Sequence, residues 1–211
     1  MLFSAYRWPV GVVVPGQHAF TLPPDAPDGI YRFEVGLYDG LTQERLPVRL
    51  AQSVEDDKVI LGKLYVQHQP PSAPQIAFTD ITFGQQIALQ GVDFDPTESF
   101  QAGQPIHLRL HWQALDRLIE DYTIALHLID AQGNIVSQQD QMPVAGRYPT
   151  SWWDAGEQVI DEHNLPLPDG LQPGQYILRI ILYQSATGQR LPGANSSQDF
   201  FALPFPVTVS N

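Results

Sequence analysis

The chain has no cysteine among its 211 residues. That excludes disulfides, thiolate catalysis and cysteine metal sites. Lack of disulfides fits the cytosol and many exported bacterial proteins alike, so composition leaves the compartment open. Basic residues are also scarce: 11 Lys and Arg stand against 23 Asp and Glu, a formal net charge of −12. A phosphate backbone would be repelled, which removes nucleic acid from the expected partners. An anionic membrane surface is disfavoured for the same reason. No run of 18 or more apolar residues occurs, so no direct membrane insertion is expected. The opening stretch MLFSAYRWPVGVVVPG does not read as a signal peptide, because Arg7 and Pro9 interrupt its apolar run. Also missing are G-x-S-x-G, a P-loop, a dinucleotide fingerprint and H-E-x-x-H, and nothing implies a cofactor.

What the chain does have is turn chemistry. Nineteen prolines and 16 glycines accompany a 43% hydrophobic content, which suits short strands joined by many turns. Residues 31–38 place Tyr31, Phe33, Val35 and Leu37 on one face and Arg32, Glu34 and Gly36 on the other. That period of two predicts a half-buried strand. Residues 106–114 alternate likewise, with Ile106, Leu108, Leu110, Trp112 and Ala114 inward and His107, Arg109, His111 and Gln113 outward. Further strand patterns run over 58–66, 87–95, 122–129, 157–165, 175–184 and 205–209, and 116–121 suits a single helical turn.

Much of this is used twice. Displaced by 145 residues, the chain matches itself at 14 of the 40 positions from 8 to 47, without a gap. Trp153 falls on Trp8, Gly156 on Gly11, His163 on His18, Tyr176 on Tyr31, and Arg190-Leu191-Pro192 on Arg45-Leu46-Pro47. Both copies open a strand with Gly-x-Tyr, the signature of the tyrosine corner of immunoglobulin-like sandwiches. The predicted fold is therefore all-β: an immunoglobulin-like antiparallel β-sandwich in tandem repeat, with the first copy partial. Residues 1–67 read as the back half of one sandwich, 68–74 as a proline-rich linker, and 75–211 as a complete sandwich. Three or four strands cannot cover both their faces. Residues 1–67 are thus expected to need a protein partner or a missing segment of a longer parent chain.

Candidate sites are few. The aromatic group Tyr148, Trp152 and Trp153 lies beside Asp154, and flat rings next to polar groups suit a polysaccharide or glycan. Trp153 is duplicated and reads as packing, so Tyr148, Trp152 and Asp154 form the candidate carbohydrate site. Asp93, Asp95 and Glu98 form a weak calcium candidate, although their spacing fails the EF-hand pattern. His107 and His111 lie about 13 Å apart along one strand, too far to share a metal, and read as solvent-facing. His18 and His163 recur at matched positions, which favours a shared structural role. A glycoside hydrolase needs two opposed carboxylates; Asp154, Asp161 and Glu162 lie near aromatics, but no spacing singles out a pair. Asn195-Ser196-Ser197 matches an N-glycosylation acceptor.

The run from Gly91 to Pro192 resembles a domain of multi-pass bacterial membrane glycosyltransferases of the dolichyl-phosphate-mannose type. The residues that carry the resemblance include His111-Trp112, Asp121-Tyr122-Thr123, His127-Leu128-Ile129-Asp130, Tyr148-Pro149-Thr150-Ser151, Leu165-Pro166-Leu167-Pro168, Pro173-Gly174-Gln175-Tyr176 and Thr187-Gly188-x-Arg190-Leu191-Pro192. The resemblance implies an extracytoplasmic accessory domain, non-catalytic, with catalysis in a membrane part outside this chain. A cytoplasmic location is the alternative. No catalytic residue carries over.

Overall fold

The computed structural model describes residues 8–27, 29–50, 53–66, 71–193 and 198–210. Asn195-Ser196-Ser197 and residues 68–70 of the linker lie outside them. The strands, in chain order, are β1 (Gly29–Val35), β2 (Val48–Leu50), β3 (Ser53–Asp56), β4 (Val59–Val66), β5 (Ile76–Ala77), β6 (Thr82–Phe83), β7 (Ile87–Asp93) and β8 (Ser99–Gln101). They continue with β9 (Ile106–Ala114), β10 (Tyr122–Ile129), β11 (Ile135–Gln141), β12 (Gln158–Leu165), β13 (Gly174–Gln184), β14 (Phe201–Ala202) and β15 (Val207–Ser210). The only helical element among the described residues is a 3₁₀ turn at Thr150–Trp152. Among the described residues no helix is long and apolar enough to cross a membrane.

The strands from β5 onward form an all-β sandwich. One sheet runs β11-β10-β13-β15-β8 with β14 added to β13; the other runs β12-β9-β7-β5 with β6 added to β7. All these pairings are antiparallel except β15–β8, which is parallel. The predicted inward face of β9 holds: Ile106, Leu108, Leu110, Trp112 and Ala114 are all buried. They meet Leu178, Ile180 and Leu182 of β13 and Ile124, Leu126 and Leu128 of β10 in one core. Phe83 packs edge-on against Trp112 at 5.8 Å, an arrangement aromatic quadrupoles favour. The helical turn expected over 116–121 does not form. Leu118 is instead buried in the core, and that anchor holds the segment as an irregular loop.

The repeat is reproduced hydrogen bond by hydrogen bond. Tyr31 donates to the Pro27 carbonyl at 2.9 Å, and Tyr176 donates to the Gln172 carbonyl at 2.6 Å. Both are tyrosine corners, spanning four residues back along the chain. The following turns also match: Leu46 N–H donates to Leu37 O as Leu191 N–H does to Leu182 O, and Asp39 N–H to Glu44 O as Gln184 N–H to Gln189 O. Tyr38 bridges Arg45 as Tyr183 bridges Arg190. Gly11 and Gly156 share a left-handed φ of 80° and 84°, a conformation that glycine adopts without steric cost.

The copies differ in what covers them. In the second, Leu178, Ile180 and Leu182 point into the core and are 0, 0 and 1% exposed. Their counterparts Phe33, Val35 and Leu37 are 38, 46 and 50% exposed. Residues 9–20 contain no strand. Their second-copy counterpart β12 is held by β9, and nothing among the described residues plays the part of β9 beside residues 9–20. Trp8 is exposed where Trp153 is buried, and His18 is exposed where His163 is buried. The expectation of a shared role for the two histidines therefore fails: the same residue type meets a core in one copy and solvent in the other.

Two measurements follow from this packing. Tyr176→Phe removes a corner hydrogen bond and is expected to lower unfolding stability by about 1 kcal/mol in chemical denaturation, with a smaller loss for Tyr31→Phe at its exposed site. His127 is buried in β10, and burial, opposed by Asp140 and assisted by Arg190 and Arg179, holds its imidazole below the ordinary 6.5. The unfolded chain therefore binds a proton first as pH falls through 6.5. Stability is expected to drop on acidification from that value toward the folded one, and His127→Gln is expected to flatten that limb of a pH–stability profile.

Candidate functional site

Tyr148, Trp152 and Asp154 do come together, but around a lysine from the other copy. Lys63 of β4 extends its ammonium to the Tyr148 hydroxyl and the Trp152 carbonyl. It also pairs with Glu157 at 2.8 Å and Asp154 at 3.2 Å, and lies 4.9 Å from the Tyr148 ring centroid. Glu157 accepts in addition from the Tyr148 hydroxyl and from the Asp154 N–H. The Tyr148 ring is fully buried, and Trp152 is half-buried against the core. Tyr148 presents no free flat face to a sugar. The loop proposed as a carbohydrate site is a socket for Lys63, a residue 85 positions upstream of Tyr148.

The acids of the calcium candidate have other partners. Asp93 accepts from the Gln75 N–H at 2.9 Å and faces Arg109 at 3.2 Å and His111 at 3.1 Å. Burial alone would raise its carboxyl, but the Gln75 N–H, His111 and Arg109 together outweigh it and hold the group below its ordinary value. Asp95 spends one oxygen on the backbone and hydroxyl of Thr97. Among the described residues, no three His, Asp or Glu side chains converge in a metal-binding group. The hydrolase acids are also dispersed. Asp161 is fully buried, bonded to His163 at 2.7 Å and to the Val144 N–H at 2.7 Å, while Asp154 sits at the lysine socket.

A different surface gathers polar groups. The outward face of β12-β9-β7 carries His107, Arg109, His111 and Gln113 from β9 and Gln158, Ile160, Glu162 and Asn164 from β12. Their register is tight: Gln158 lies opposite Gln113, Ile160 opposite His111, and Glu162 opposite Arg109. Gln90 donates to Gln113 at 2.9 Å, and Gln113 donates to the Gly156 carbonyl at 3.3 Å. His107 bonds Asn164. Over one end of this face the segment Pro71–Pro74 and β5 form a wall. A cleft of about 310 Å³ opens between wall and sheet, bordered by Phe78, Gln90, His111, Gln158 and Ile160.

The wall also corrects His111, which was expected to face solvent and is buried. Gly91 makes this close approach feasible. A Cβ there would lie 2.3 Å from the Ile76 carbonyl and 2.6 Å from Pro74, so any side chain would force the wall off the sheet. An isolated glycine inside a strand pattern is the sequence signal for such an approach.

No protein family matches the chain, and no curated protein does. Among solved structures, the C-terminal domain of wzt aligns over 62% of this chain and 77% of that one, with 12% identity and a TM-score of 0.46. A likeness that remote carries no argument, so the sandwich rests on this chain's own strands and no function is taken from the neighbour.

Replacing Lys63 with alanine leaves Tyr148, Glu157 and the Trp152 carbonyl without their shared partner. Loss of such charged hydrogen bonds is worth about 1.5–3 kcal/mol. Hydrogen exchange of β1 and β4 amides is expected to accelerate about tenfold or more in Lys63→Ala, while β9, β10 and β13 keep their protection.

Proposed function

We propose that this chain is a non-catalytic binding module whose cleft beside β5 takes a segment of a neutral, hydroxyl-rich glycan. The observation that carries the reading is the character of the cleft and the sheet face that continues from it. Side-chain amides from Gln90 and Gln158 border the cleft, Gln113 stands beside them on the sheet face, and no carboxylate is among the residues that line it. Amides both donate and accept, as sugar hydroxyls do. Phe78, Ile160 and the prolines supply apolar contact for sugar C–H faces, and the volume lies in the range of small-ligand pockets. No pair of carboxylates borders the cleft, as glycoside hydrolysis would need.

In this reading residues 1–67 are a partial repeat, 68–74 a linker and 75–211 the binding sandwich. A narrower version makes the module an extracytoplasmic accessory domain of a membrane glycosyltransferase. That version rests on the sequence pattern alone.

Isothermal titration of the full chain against a panel of bacterial and plant polysaccharides tests the proposal. A saturable response is expected, weakened tenfold or more by the pair Gln90→Ala and Gln158→Ala and left unchanged by Trp152→Ala. Silence across the panel, or loss in Trp152→Ala alone, would overturn it.

A further inference from the structure

Among the described residues, β1 pairs on one side only, with β4. The corresponding strand of the second copy, β13, is paired on both sides: its Ile177–Gln184 span is zipped to β10 along its whole length, and β15 and β14 take the other edge. Among the described residues, the edge of β1 that matches the β10 side is therefore open. An open edge presents unpaired N–H and C=O groups and accepts another strand readily.

The side chains along this edge indicate which strand. Arg32 and Glu34 flank Phe33, are exposed, and lie 3.4 Å apart at their charged ends. In an antiparallel pair related by a two-fold axis through Phe33, residue 32 of one copy stands opposite residue 34 of the other. Each Arg32 then faces a Glu34, Phe33 faces Phe33, and Tyr31 faces Val35. Shifting the register by one pair either way sets Arg32 against Arg32 or Glu34 against Glu34. Like charges directly opposite are destabilising and opposite charges favourable, so the strand's own sequence selects one register of self-pairing. The apolar side gains too. Phe20 stacks on Phe33 at 5.1 Å, and this pair, with the exposed Val35 and Leu64, would meet its symmetry mate.

We infer that two copies of this chain associate through β1, edge to edge and antiparallel about a two-fold axis at Phe33, forming a continuous β4-β1-β1-β4 sheet. Isologous two-fold contacts of this kind are the commonest route to a homodimer. The proposal is independent of the glycan cleft, which lies on the other copy.

Sedimentation equilibrium of the full chain, wild type and two variants, decides the matter. The wild type is expected to sediment as a dimer that dissociates on dilution. Arg32→Glu sets Glu against Glu twice per dimer and is expected to raise the dissociation constant about tenfold or more. Adding Glu34→Arg to that variant recreates both opposite-charge pairs and is expected to restore the dimer. Arg32 is exposed, so neither variant disturbs a core. A single-chain mass at every concentration would overturn the proposal. So would a dimer insensitive to Arg32→Glu, or failure of the charge swap to rescue.

Discussion

An apolar sheet face in water must be covered by a second layer, and this constraint decides the state of every part of the molecule. In β13 it is met: Leu178, Ile180 and Leu182 lie under β7 and β9, dry and close-packed. Full burial of each such side chain contributes about 1.5–3 kcal/mol. In β1 the same backbone, the same tyrosine corner and the same following turn carry Phe33, Val35 and Leu37 into solvent. The hydrogen-bonded frame of the repeat therefore does not need the opposite sheet, whereas its hydrophobic stabilisation does. A partial repeat keeps its local geometry through the corner and the turn, and lacks the free energy that packing supplies.

Lys63 ties that frame to the complete sandwich. Its ammonium meets an anion, a hydroxyl and a carbonyl at once, which satisfies a half-buried charge. Polar contacts replace the apolar layer that the first copy lacks, with help from Ile30, which packs against the main core. On the outward face of the five-stranded sheet the proline segment and β5, seated by Gly91, form the wall of the cleft.

The legible features were those whose cause is local. Period-two patterns located β1, β9 and β13, and the Gly-x-Tyr signals gave both corners, because a hydroxyl that returns four residues needs nothing from elsewhere in the chain. The site was much less legible. Tyr148 and Trp152 have the composition of a sugar platform, and only the arrival of Lys63 from 85 residues away converts them into a socket. His111 has the parity of an outward residue, yet the Pro71–Pro74 wall buries it. The lone glycine within β7 was the one clue to that wall.

By itself, then, the sequence determined the alternation of faces, the turns and the duplication, since each depends on residues that are neighbours along the chain. Tertiary structure alone decided which faces are wet, which polar groups meet and which strand edge stays open. Those properties depend on segments that are distant in sequence and adjacent in space. A repeat displaced by 145 residues can carry the same side chains and still lack the layer that would bury them.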